Sequence, residues 1–314
     1  MNSLDQSFSF FLPLEGQDML QRFLYQHYKS NSFREAKAFS YNNTTPLSHY
    51  WKLGRMLFEQ ADSSPLALQP LLYFYGFVDL LKGTVLLYDP HYPSSSHVLA
   101  HGVSTRKRKK RSYCFLDDEV KIQKNGLFSH TASVMFHMKH VEGEKWSMGH
   151  LLLQIPELYE LFTFIHNYPP LLTVEFHPEF FEIKSQQPIG QTERENVKEW
   201  ISKKEMKAVL KEEGSSVLSY SSSLIENSAF KKTLLQDHEN RYYLLPDVEK
   251  HTGLHELLIH YLLLYNLSMI CRYETEWWGE LITHQTTSDF SFIKAYLALV
   301  REKVPFLFQP YYTP

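Results

Sequence analysis

The chain has 314 residues, 43% of them hydrophobic, enough apolar mass for a sizeable core and for one large domain or two modest ones. This composition excludes a disordered chain, and 12 glycines leave little room for long glycine-rich loops. Against a formal net charge of −3, the six consecutive basic residues Arg106 to Arg111 are conspicuous.

Taken in chain order, residues 17–29 and 33–41 read as short helices. The turn-type residues Asn42 to Pro46 predict a break before a further helix over 47–61. Gln69 to Tyr88 is apolar nearly all round, the pattern of a central core helix. Its Asp79 and Lys82, like Glu256 and Asn266 in the later apolar run, argue for buried helices of a soluble protein rather than membrane spans. After the basic run the period changes. Val120 and Ile122 alternate ahead of Asn125-Gly126, a turn signal, and "SVMFHMKHVEGEKWSM" reads as two strands. "GHLLLQIPELYELFTFIHNY" returns to helix, with Pro156 starting its second part, and "LLTVEFHPEFFEIKS" returns to strand.

Residues 185–229 read as a charged amphipathic helix followed by a Ser-rich linker. "KKTLLQDHENRYYLLPD" predicts a hairpin turning at Asp237–Asn240. Residues 253–303 read as a long apolar helix to about Cys271, a junction, and a last helix opened by Asp289. The fold class is α+β, mainly α. The sequence predicts a single composite domain over 1–314, with a helical core from 17–105 and 250–303 and β-containing insertions at 113–184 and 230–247.

Nucleotide and hydrolase signatures are absent: there is no G-x-x-x-x-G-K-[ST], G-x-G-x-x-G or G-x-S-x-G. Cys114 and Cys271 form no C-x-x-C and no disulfide framework, which suits a reducing cytosol. An N-terminus that lacks a basic region and carries Asp5 does not read as a signal peptide, so a cytoplasmic location is expected. His97 and His101, and His251 and His255, stand four apart, but no Glu follows the first His of either pair, and no metal or other cofactor is predicted. Asp79 and Lys82 lie three apart on one helical face, where a charged pair in an apolar helix either satisfies itself or lines a polar pocket. Arg272 ends a long apolar helix beside Tyr273, Trp277 and Trp278, an arrangement suited to an aromatic-walled cation. In the basic run, Arg106, Arg108 and Arg111 suit outer phosphate contacts, with a solvated loop as the plainer reading.

The blocks "PLLYFYGFVDLLKG", "HG" at His101-Gly102, "VKIQKNGLF", "SMICRYETEWWGEL" and "FIKAYLALVREKVPFLF" resemble, in order and spacing, the YaaC-like proteins of Bacillus and relatives, from about residue 30 to the end. The resemblance implies a cytosolic bacterial protein. The helical part is also similar, more distantly, to the HEPN superfamily, implying a HEPN-like bundle of N- and C-terminal helices around β-rich insertions. Members of that superfamily include RNases with an R-x4-6-H motif, nucleotide binders and inactive interaction modules, and many dimerise. Arg22 and His27 match the motif by spacing, while the six residues after Arg272 hold no His. These features together predict a non-catalytic or regulatory protein that binds a nucleotide, RNA or a protein partner, with no membrane role and with a homodimer as the implied assembly. The expected binding set is Asp79, Lys82, His101, Arg272 and Trp278, with Arg106, Arg108 and Arg111 outside it. Lys82 and Arg272 hold an anion, and His101 donates a hydrogen bond or, if the protein is catalytic, a proton. Two rival expectations are a metal-independent endoribonuclease using His101 or His27 and a structural partner of another enzyme.

Overall fold

The computed structural model describes residues 6–105, 113–203, 208–223 and 230–313. The fold is α+β and mainly α, 58% helix and 12% strand. Where the sequence reading has one composite domain, the chain divides into two compact units, Met1–Met148 with His255–Pro314 and Gly149–Leu254.

The first unit is built on helices α1 (Gln17–Ser30), α2 (Ala36–Ser63) and α3 (Gln69–Tyr88). Helix α3 is the centre: Phe74, Phe77, Leu80, Leu81 and Val85 are fully buried, as its all-round apolar pattern requires. Helices α2 and α3 cross closely at two glycines. A Cβ on Gly54 would stand 3.0 Å from the Gly76 carbonyl oxygen, and one on Gly76 would stand 3.0 Å from the Gly54 oxygen. The predicted break at Asn42 to Pro46 does not occur; α2 runs through Pro46. Proline frees a carbonyl one turn earlier, here that of Asn42, an exposed residue. Buried Asn43 meanwhile ties the same turn down, donating to the Pro90 carbonyl and the Tyr28 hydroxyl.

Next come β1 (Val103–Thr105) and β2 (Glu119–Ile122), then α4 (Leu127–Phe136) and β3 (Lys145–Ser147). The three strands form an antiparallel sheet, with Val103 opposite Ile122 and Val120 opposite Trp146. Ser133 to Phe136, read from sequence as strand, belong to α4. Leu127, Phe128, Thr131, Ala132 and Met135 are buried at three- and four-residue spacing, so tertiary burial selects the helical period. Two of the amide donors orphaned at the start of α4 are served from outside it: Leu127 N–H donates to the Ala100 carbonyl and Phe128 N–H to that of His101.

The second unit opens with the short helices Pro156–Leu158 (3-10) and α5 (Tyr159–His166). It contains strands β4 (Leu172–Phe176), β5 (Phe180–Lys184), β6 (Val209–Glu213), β7 (Val217–Ser221), β8 (Leu235–Gln236) and β9 (Tyr242–Leu244), with helix α6 (Gln191–Lys203) after β5. The antiparallel order is β6-β7-β5-β4-β9-β8. Leu172 and Val174, Phe181 and Ile183, and Leu218 and Tyr220 alternate onto one buried face, which packs with Val197, Trp200 and Ile201 of α6. The Ser-rich segment read as a linker is therefore an interior strand: β7 pairs with both β5 and β6. Leu218 and Tyr220 provide its core face, and serine is small enough to occupy the positions between them.

The chain then returns to the first unit with α7 (Glu256–Tyr273), α8 (Thr275–His284) and α9 (Asp289–Phe308). The junction predicted after Cys271 is itself helical. Helices α7 and α9 both pack against α3. At the chain end the Trp51 indole donates to the Tyr312 hydroxyl, 2.7 Å away, and that hydroxyl meets Thr84 Oγ1 at 3.0 Å. Helix α3 is long and apolar enough to cross a membrane by length and composition; here two thirds of it is buried in protein.

Candidate functional site

Two helical stripes and one glycine turn build the site, all in the first unit. On α3, Tyr75, Asp79 and Lys82 follow the i, i+4, i+7 spacing of one face. On α7, Tyr265, Met269 and Arg272 repeat that spacing. His101 lies between them. Its ring centroid is 5.0 Å from Phe74, 5.7 Å from Tyr265 and 6.3 Å from Tyr75.

The backbone of His101 is held from three sides. Its carbonyl accepts from the Tyr261 hydroxyl and from Phe128 N–H, and the neighbouring Gly102 carbonyl accepts from Gln123 N–H. Gly102, at φ +77°, lies against Gly126, at φ +133°; a Cβ on Gly126 would stand 2.3 Å from the Gly102 Cα. Only a residue without a side chain permits that approach, and both positive φ values suit glycine. The sequence blocks "HG" and "VKIQKNGLF" are thus two halves of one contact that holds the His101 backbone.

Arg272 is half-buried at the end of α7. Its Nε donates to the Ser268 carbonyl at 3.0 Å, Nη2 lies 3.1 Å from the Met269 sulfur, and Nη1 reaches the Tyr75 hydroxyl at 3.5 Å. The guanidinium carbon sits 5.2 Å from the Tyr273 ring centroid. Among the described residues no carboxylate pairs with it. Lys82 Nζ is 3.5 Å from Asp79 Oδ1 and 5.7 Å from the Tyr50 ring centroid.

Two cations therefore share this site with one carboxylate. Burial first, and then the charges of Arg272 and Lys82, lower the pKa of His101, so its ring is neutral at pH 7. Burial raises the pKa of Asp79 against the opposing pull of Lys82. Burial above all, then the charges of Tyr50 and Asp79, raises the pKa of the Tyr92 phenol. Its hydroxyl is shielded from solvent and has no hydrogen-bond partner among the described residues.

The structure thus brings His101, Lys82, Asp79 and Arg272 together. It does not add Trp278, which is buried and donates its indole N–H to the Ala67 carbonyl at 3.0 Å. Trp277 packs edge-on against Tyr113. Tyr273 is the ring that faces the guanidinium. Arg106, Arg108 and Arg111 lie outside the described residues. Tyr75, Tyr265, Tyr50 and Tyr92 were not singled out by the sequence reading, although Tyr75 and Tyr265 share the spacing of the charged residues.

His27 has a separate, structural task. Its Nε2 is 3.1 Å from the Leu87 carbonyl, which can only accept, so that nitrogen carries a proton and donates. Arg22 is exposed on the same helix.

The second unit contains a cavity of 460 Å³ lined in part by Trp200, Lys232, His251 and Gln154. Its polar walls are engaged internally: His251 Nε2 accepts from Leu245 N–H, and buried Gln154 bonds to His150, Lys250 and Thr252. Glu175, His177 and Glu182 lie close enough to hold a metal ion, but the Lys184 ammonium bridges both carboxylates.

The family model for YaaC-like proteins matches residues 12–311. The chain belongs to the YaaC-like family. No curated protein and no solved structure matches it.

Proposed function

We propose that this YaaC-like protein is a cytosolic, HEPN-like, non-catalytic regulatory protein that binds a phosphorylated ligand, a nucleotide or RNA, at the Arg272–His101–Lys82 cluster. The observation that carries this reading is the half-buried Arg272 guanidinium, which has no carboxylate partner among the described residues and lies beside a neutral imidazole. A guanidinium already oriented by Ser268, Met269 and Tyr75 loses little freedom when it takes a phosphate. Tyrosine rings beside it offer faces for a base. Binding rather than cleavage is favoured because His27 is committed to a backbone carbonyl, and because burial and the charges of Arg272 and Lys82 lower the basicity of His101.

Equilibrium titration of the full chain with ATP and with a short oligoribonucleotide tests the proposal. Arg272→Gln is expected to weaken binding about ten- to hundredfold, the value of one charge-assisted hydrogen-bond set. Arg55→Gln, which breaks surface ion pairs with Glu15 and Glu59, is expected to leave binding unchanged. Equal affinity for parent and Arg272→Gln, with both folded, rejects the site.

A further inference from the structure

Two kinds of unmet bonding capacity coincide at this cluster. Arg272 has donors without a carboxylate. Asp79 is half-buried, and the one bonding partner the described residues bring it is the Lys82 ammonium, at 3.5 Å. A carboxylate has about four lone-pair sites, so most of its accepting capacity is unused. Half-buried charged groups left in this way merit an explanation.

The ligand that completes this set carries an anion and, a short distance away, hydroxyl donors. From Tyr75, which meets Arg272, to Lys82 is seven residues of α3, a rise of about 10 Å. Asp79 sits between them. We propose, building on the phosphate reading above, that the ligand is a ribonucleoside 5′-monophosphate: the phosphate takes Arg272, and the ribose 2′- and 3′-hydroxyls donate to Asp79. A side-chain carboxylate that accepts from both hydroxyls of a diol needs both to be free. An internal RNA nucleotide has its 3′-oxygen esterified, so the arrangement selects a mononucleotide over a polymer. Burial, which makes the Asp79 carboxylate costly to keep ionised, makes two added donors more valuable there.

The test is calorimetric titration of the full chain with AMP, 2′-deoxy-AMP, adenosine, inorganic phosphate and an oligoribonucleotide. AMP is expected to bind at least about tenfold tighter than 2′-deoxy-AMP, the loss expected for one unpaired hydrogen bond to a charged group. Asp79→Asn is expected to erase that preference while retaining phosphate binding. Equal binding of AMP and 2′-deoxy-AMP by the parent chain overturns the diol assignment and leaves the phosphate site standing. Oligoribonucleotide binding that depends on Arg272 without AMP binding does the same. If none of the phosphate-bearing probes binds, this inference and the reading beneath it both fall. The comparison of ligands on the parent protein does not depend on any variant folding.

Discussion

The Arg272 guanidinium is held by a backbone carbonyl, a thioether and a phenol, none of them acidic. A cation oriented by neutral groups keeps its charge available, whereas Lys82 spends part of its charge on Asp79. Residue-level reading of the sequence found both cations and His101 because charged residues interrupting an apolar run are visible without a structure. It missed Tyr75, Tyr92 and Tyr265 because tyrosine is equally at home in a core, and this chain has 20. It also nominated Trp278, whose indole turns to Ala67 instead. The state of His101 gives a direct prediction. Its folded pKa lies below the ordinary 6.5, so between those two values the unfolded chain binds the extra proton. Stability from this residue is therefore complete above about pH 6.5 and declines as the pH falls below it. NMR titration of the imidazole is expected to show a depressed pKa. Arg272→Gln is expected to raise it while leaving it below 6.5, because burial is the larger cause. An unchanged value in the variant separates the guanidinium from the ring.

At the scale of elements, the site depends on close approaches that only glycine allows. Gly102 against Gly126 sets His101, and Gly54 against Gly76 sets the distance of α2 from α3 and hence of Tyr50 from Lys82. Gly54→Ala is expected to destabilise by about 1–3 kcal/mol despite the better helix propensity of alanine, because the new methyl meets Leu80 and the Gly76 carbonyl. Denaturant unfolding measures it, and a stabilised variant contradicts the close crossing. Helix periodicity made α3, α6, α7 and α9 legible. Proline and asparagine misled at 42–46, where packing of Asn43 overrides a local break signal. Serine misled at β7, where sheet pairing on both sides overrides a composition typical of linkers. Buried Lys303, 3.3 Å from Glu256, shows the same limit: nothing in its sequence neighbourhood marks it as fully enclosed.

For the whole molecule, the chain makes two cores, each with its own sheet. Phe181, fully buried in the sheet of the second unit, stacks on Tyr220 and packs near Phe230. Phe181→Ala is expected to cost about 3–5 kcal/mol. Hydrogen exchange followed by mass spectrometry is expected to show the loss of protection first within Gly149–Leu254. A uniform loss across both units, with none concentrated there, counts against a separate second core. The sequence by itself determined the class, mainly helical with β-rich middle segments, the central place of Gln69–Tyr88, and the charged residues worth testing. Those follow from composition and period, which are local properties. Only the tertiary structure decided that Asp79, Lys82, His101 and Arg272 meet, that tyrosines surround them, and that the Ser-rich segment is a strand. Those outcomes depend on contacts between segments distant in sequence, where burial and unmet hydrogen bonds outweigh what any short stretch prefers alone.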